Sequence, residues 1–251
     1  MMTRVKSRRE LEAMRVSGQM LATVLELLRH QTIAGLSTKD VATIAATELK
    51  RLGGKPAFLG YQGFPDIICI SVNDEVVHGI PSPDKHLKDG DLVGLDFGVN
   101  YQGMITDSAI SLIVGKTGDT KLKALVRDTE QALLAGIGVV KDGVAVGDIG
   151  AAVQAVLDKG RYGIVRDLVG HGVGHDMHEE PNIPNYGRAG HGQRLKTGMT
   201  IAIEPMATLG TDRVFIDPDG WTIRTRDGSL SAHFEHTVLI TEDGSEILTS
   251  L

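Results

Sequence analysis

Asp91–Ile110 sets two acids close together in a stretch that reads as a hairpin. Leu92–Val99 is an apolar, β-prone run, Asn100-Tyr101-Gln102-Gly103 is a turn, and Met104–Val114 is a second such run. A fold-back centred between Tyr101 and Gln102 pairs residue i with residue 203 − i, so Asp96 faces Asp107 (96 + 107 = 203). Like charges directly opposed on a sheet are destabilising. A bound cation would account for the pair. So would a register shifted by one, with one Asp turned to water.

Other residues bring related chemistry. Glu204 ends the apolar run Thr200–Ile203 and precedes Pro205, which must edge or break a strand. Glu235 lies within Ser231–Ile240, where alternation puts His233, Glu235, Thr237 and Leu239 on one face. A buried acid there is costly unless paired or metal-bound, whereas a surface strand position would make it ordinary. His171 and His175 stand four apart in Gly170-His171-Gly172-Val173-Gly174-His175, which on a helix would mimic a zinc pair. Three glycines in that run argue against a helix. An extended strand and loop is expected instead, with His171 one ligand and His178 reaching in from the loop.

The elements that must hold these residues follow from patterning. Ser7-Arg8-Arg9-Glu10 is a capping-box sequence opening a helix whose stripe is Leu11, Met14, Leu21, Val24, Leu25 and Leu28. Ser37 and Asp40 cap a second helix, Val41–Leu52, closed by Gly53-Gly54. Ile67–Val72 and Val76–His78 read as short strands before the hairpin. Beyond it, Lys121–Val140 and Asp148–Lys159 are helical. Gly35 and Gly143 differ by 108, as do Asp40 and Asp148, and the same shift maps Lys88–Asp96 onto Lys196–Glu204. Two related halves are expected, roughly 7–115 and 119–251, with Glu204 in the second where Asp96 stands in the first.

Composition narrows the class. A chain of 251 residues can bury one large core, and a net charge of −6 argues against nucleic-acid binding by bulk electrostatics. The basic residues Arg4, Lys6, Arg8 and Arg9 read as a solvated end. The single cysteine, Cys69, excludes an internal disulfide and fits a reducing compartment. No apolar segment reaches membrane-spanning length, and no signal-peptide pattern opens the chain. A cytoplasmic protein is expected.

Together the motifs carry a family resemblance. Asn73-Asp74-Glu75-Val76-Val77-His78-Gly79-Ile80-Pro81, the Asp96/Asp107 hairpin, Gly170-His171-Gly172 through His178-Glu179-Glu180-Pro181, Gly198-Met199 through Glu204-Pro205-Met206, and Ser231-Ala232-His233-Phe234-Glu235-His236-Thr237 occur in family order. Over nearly its full length the chain resembles type I methionine aminopeptidases. The resemblance implies the α/β pita-bread fold: one catalytic domain over 1–251, with a curved, mostly antiparallel sheet covered by helices.

It also implies a site. Asp96, Asp107, His171, Glu204 and Glu235 would hold two divalent ions, with Asp107 and Glu235 bridging, Asp96 on the first ion, and His171 and Glu204 on the second. Four carboxylates and one imidazole suit Mn²⁺, Fe²⁺, Co²⁺ or Zn²⁺ without choosing among them. Ions about 3.5–4 Å apart can hold a bridging hydroxide that attacks the first peptide bond. Glu204 resembles the family's proton-transfer group, and His78 and His178 its catalytic, substrate-contacting histidines. Tyr61, Phe64, Cys69 and Trp221 fall where the family walls the methionine side chain. Met104, Met177, Ala202 and His233 depart from usual residues. The remaining histidines, His30, His86, His175, His191 and His236, are assigned to surface or packing.

The implied activity is removal of the initiator methionine from nascent polypeptides by a monomer, with any ribosome contact made through the folded surface. Xaa-Pro aminopeptidase or prolidase is the alternative within the fold. A non-catalytic binding protein is the alternative outside catalysis, although it should have lost metal ligands.

Overall fold

The computed structural model describes residues 5–251; Arg4 of the basic end lies outside them. Four helices are present: α1 (Arg8–Gln31), α2 (Thr38–Leu52), α3 (Thr120–Gly138) and α4 (Val146–Gly160). The first-half strands are β1 (Lys55–Pro56), β2 (Ile68–Val72), β3 (Glu75–Val77), β4 (Leu92–Tyr101) and β5 (Met104–Ile113). After the helices come β6 (Gly163–Ile164), β7 (Gly170–Gly172), β8 (Glu179–Ile183), β9 (Thr200–Ile203) and β10 (Met206–Thr208). The chain closes with β11 (Val214–Ile216), β12 (Ile223–Thr225), β13 (Ser231–His233), β14 (Glu235–Ile240) and β15 (Ser245–Ile247).

The principal sheet has nine antiparallel strands. Its main path is β1-β4-β5-β14-β9-β7-β8, with β2 on β4 and β15 on β14. Two smaller sheets, β13-β10-β6 and β11-β12-β3, flank it. Helix α1 starts in the capping box written in its sequence: Glu10 N–H donates to Ser7 Oγ and Ser7 N–H to the Glu10 carboxylate. Its apolar stripe, including Met14, Leu21, Val24, Leu25 and Leu28, is buried, and the helix lies against β4 and β5. Ser17 Oγ donates to the Val99 carbonyl at 2.8 Å, tying helix to hairpin. Helices α3 and α4 pack on each other. Helix α3 lies against β13, β10 and β14, and α4 against β8.

The 108-residue offset recurs in the elements. Thr38–Leu52 and Val146–Gly160 are both 15 residues long and begin 108 apart, and Leu92 and Thr200 open β4 and β9 at the same spacing. Isolated bridges Ser37–His86 and Ala145–Arg194 repeat it, as do Gly35 N–H to Leu87 O and Gly143 N–H to Leu195 O.

Three expectations are corrected. The hairpin register sums to 205: Asp96 opposes Ala109 and Asp107 opposes Gly98. The loop is the two residues Gln102-Gly103, both at positive φ (52° and 87°), a primed turn whose twist suits a hairpin. A slip of two leaves both aspartates on one face, where a slip of one would have separated them. Ser231–Ile240 is two strands rather than one. It breaks at Phe234, so β13 can pair with β10 while β14 pairs with β9 and β5. Finally, Lys6 is buried rather than solvated, because its ammonium meets Glu179.

Candidate metal centre and active site

The sheet lines up the acids across neighbouring strands. Asp96 on β4 and Glu235 on β14 both pair with Ala109 on the intervening β5, whose methyl leaves space between them. Asp107 lies two residues back along β5. His236 pairs with Ile203, so Glu204 emerges just past the end of β9, freed from the ladder by Pro205. His171 sits in the three-residue β7, which pairs with β9 through Gly172 and Ile201. A side chain at residue 170 would strike the Ala202 carbonyl, so Gly170 is what allows β7 this close.

Polar side chains brace the main chain that bears these groups. Asp107 N–H donates to Thr237 Oγ1 at 2.9 Å, and the same hydroxyl donates to the Asp107 carbonyl at 2.8 Å. Ser108 Oγ donates to the Glu235 carbonyl, Ser111 Oγ to that of His233 and Asn185 Nδ2 to that of Glu204. With Nδ1–H donating to the Gly172 carbonyl at 2.9 Å, His171 keeps a lone pair on Nε2, which stands 3.4 Å from Glu204 Oε1.

Asp96, Asp107, His78, His171, His178, Glu204 and Glu235 all line one cavity of about 630 Å³, counting its open mouth. Its apolar wall is Phe58, Phe64, Cys69 and Met177, with Tyr61 and Trp221 partly buried beside them. Tyr61, Phe64, Cys69 and Trp221 are therefore grouped as their positions implied. Phe58, Gln62 and Met177 complete the lining; an aromatic in the loop after Pro56 was the only sequence signal for Phe58.

Burial dominates the electrostatics. Desolvation raises Asp96 to about 7. It also drives Asp107, Glu204 and Glu235 well above the ordinary carboxylate range, with mutual repulsion adding to it. The same burial lowers His171 to about 3 and His78 to about 4, leaving both neutral, and lowers His178. Among the described residues, the only basic side chains within 4.0 Å of these carboxylates are His171 and His233. Asp96 Oδ1, Asp107 Oδ1, Glu235 Oε1 and His233 Nε2 are buried with no hydrogen-bond partner. Buried, unpartnered carboxylate oxygens beside neutral imidazole fit divalent metal, and ligand atoms of Asp107, His171 and Glu235 lie within 4.8 Å of one another. The donor chemistry therefore matches divalent metal use.

His178 stands at the mouth, with its ring 4.3 Å from that of His171 and its Nδ1 2.7 Å from the Tyr61 hydroxyl. His78 holds a left-handed backbone (φ 60°), and its ring lies 6.5 Å from the Trp221 ring. His233 Nε2 faces Glu204 and Glu235 at 3.9 and 4.0 Å. His236 is hydrogen-bonded to Thr249, and His30 to Glu26 on the surface.

Known proteins resemble the chain as a whole. The family model described as metallopeptidase family M24 matches residues 11–242. A methionine aminopeptidase of Aquifex aeolicus is 44% identical over 253 residues, covering 98% of each chain. A crystal structure of a methionine aminopeptidase from Thermotoga maritima is 46% identical with a TM-score of 0.97, covering 100% of both chains. A prolidase from Pyrococcus furiosus matches at TM-score 0.78 with 24% identity over 98% of this chain and 65% of its own, which shows the pita-bread fold alone. The chain belongs to metallopeptidase family M24, among its methionine aminopeptidases.

Proposed function

We propose that this chain is a metal-dependent aminopeptidase that removes the amino-terminal methionine from newly made polypeptides. The observation that carries the proposal is the cluster of buried carboxylates, with no lysine or arginine beside it among the described residues, in a cavity that also has an apolar wall. Asp96, Asp107, His171, Glu204 and Glu235 would hold two divalent ions, drawn from Mn²⁺, Fe²⁺, Co²⁺ and Zn²⁺, with Asp107 and Glu235 shared. Divalent metal bound there supplies Lewis-acid polarisation of the scissile carbonyl and a nucleophile at neutral pH.

The chain's own residues do the rest. Glu204, just past the end of β9 and beside His171, would take a proton during attack and return it to the leaving amine. His178 Nδ1 is paired with the Tyr61 hydroxyl, and in the tautomer in which that hydroxyl donates, His178 offers its Nε2–H to the substrate. His78, neutral through burial, is the second such donor. Phe58, Phe64, Cys69, Met177 and Trp221 would take the unbranched methionine side chain by apolar burial and sulfur–aromatic contact.

The repeated 108-residue offset supports a single catalytic domain made of two related halves, 7–115 and 119–251. A cytoplasmic monomer that meets nascent chains through its folded surface is the matching cellular reading. Among the described residues no helix is long and apolar enough to cross a membrane.

Release of free methionine from Met-Gly-Met with added Mn²⁺ or Co²⁺ tests the assignment. No release by folded, metal-loaded protein would sink it. Faster cleavage of Xaa-Pro than of Met-Ala peptides would move the chain to the proline-directed branch.

A further inference from the structure

We infer that Lys6 is a positioning residue for the active site, acting through Glu179 on the loop that presents Met177 and His178. The Lys6 side chain is wholly buried, and its Nζ lies 2.7 Å from Glu179 Oε2. The other oxygen of Glu179 accepts the main-chain N–H groups of His175 (2.7 Å) and Asp176 (3.3 Å), where the loop begins. One carboxylate thus joins the amino-terminal segment to the loop. Burial lowers Lys6 and opposes the charge on Glu179, yet the Lys6 ammonium and the His175 and Asp176 N–H groups together hold Glu179 below its ordinary range.

The segment is itself anchored. Lys6 N–H donates to the Gly198 carbonyl at 2.8 Å, and Ser7 then opens α1. The lysine stem fills the space a side chain at residue 174 would need, which Gly174 leaves open. His175 Nε2 meets Glu10 Oε1 at 2.8 Å as a second tie, and Ile105 N–H donates to the Gly174 carbonyl at 2.7 Å. Between these ties and β8, Met177 is buried in the pocket wall, and His178 reaches Tyr61 and His171.

Stability alone is a poor reason for a buried ion pair, because apolar replacements of similar volume are often neutral. Fixing the register of a loop is a role that an apolar contact performs less well. Displacement of a positioned group by about 1 Å can cost about 100-fold in rate. Lys6 is not among the described residues that line the cavity, so its effect runs through the loop.

The inference rests on the peptidase reading for its kinetic arm, but amide exchange needs no substrate. In Lys6→Met, amides 175–178 exchange about 10-fold faster or more in the metal-loaded protein. KM for a Met-Ala peptide rises about 10-fold, with a smaller fall in kcat, because substrate contacts are loosened. The double variant Lys6→Met with Glu179→Gln removes both charges and keeps the test readable if the single variant unfolds; it shows the same exchange and KM changes. Unchanged exchange at 175–178 and unchanged KM in the folded double variant, with only a shifted thermal midpoint, overturn the inference. If the unaltered protein releases no methionine, the peptidase reading fails, and the exchange arm still decides the positioning role.

Discussion

Strand β4 runs ten residues and pairs with β5 along its whole length across a two-residue turn. Strand β9, which begins 108 residues later, runs four residues and stops at Pro205. Both carry an acid to the same cavity. In the first case one local hairpin delivers two aspartates, and its two-residue turn sets the register that puts them on one face. In the second, Glu204 needs β14 beside it and Glu235 arrives from a strand far along the chain, while His171 comes from β7 on the other side. The long hairpin makes its part of the site nearly self-sufficient. The short strand makes its part depend on tertiary pairing, and it leaves Glu204 just past a strand end. Side chains that brace the backbone are correspondingly concentrated around β5, β13 and β14, at Thr237, Ser108 and Ser111.

The largest effect is expected on the hairpin itself. Asp107→Asn lowers methionine release by about 100-fold or more, because removing even an outer partner of a metal ligand costs 10–100-fold. Calorimetric metal titration should lose affinity in parallel. In chelated protein the same change raises stability by about 1 kcal/mol or more, since a buried like charge is gone. A variant that loses activity and also loses stability without metal would break the account of the hairpin as strained for function.

The pH dependence of the chelated protein comes next. Asp96 is raised from 3.8 to about 7 on folding, and Asp107, Glu204 and Glu235 shift the same way. At these groups the folded state therefore holds more protons than the unfolded one in that window. These carboxylates contribute stability that is greatest below the ordinary carboxylate range and is lost as pH rises toward about 7, whereas His171 and His78, lowered to about 3 and about 4, contribute with the opposite sign over the same window. In chelated protein, Asp96→Asn should therefore raise the thermal midpoint relative to the unaltered protein by an amount that grows as pH rises through this window, and added divalent metal should stabilise the unaltered protein most at its upper end. A difference between the two proteins that does not grow with pH would contradict the site's electrostatics.

Thr237→Val tests how far the two strand systems depend on each other, because this hydroxyl joins β14 to the Asp107 main chain. Stability should fall by about 1–3 kcal/mol from the unpaired Asp107 N–H, and methionine release by about 10-fold from misplacement of the acid. The smallest effect lies away from the site. Ser37 caps α2 with its hydroxyl, whereas Ala145, 108 residues later, has no side-chain oxygen to offer α4. Ser37→Ala should cost about 1 kcal/mol in denaturant unfolding, with kcat unchanged.

Much of the first half was legible in the sequence because its information is local. The Ser7 and Ser37 caps, the apolar stripe of α1 and the apolar, β-prone runs of the hairpin each act within a few residues. The register was not, because it turned on Gln102 adopting a positive φ beside Gly103, a conformation that glutamine does not advertise. The break at Phe234 was hidden for another reason. Ser231–Ile240 alternates like one strand, and only the competing partners β10 and β9 divide it. Lys6 looked like part of a solvated basic end because its partner, Glu179, lies 173 residues away.

By itself the sequence determined the residue types able to bind metal, the hairpin that carries Asp96 and Asp107, and the spacing that repeats at 108. Spacing and periodicity carry such information without knowledge of the fold. The tertiary structure alone decided that Ala109 would separate Asp96 from Glu235, that Gly170 would bring His171 beside Glu204, and that the amino-terminal lysine would close onto the loop of His178. These depend on which strands become neighbours and how closely their backbones approach, a choice made by burial of the whole core rather than by any local stretch of chain.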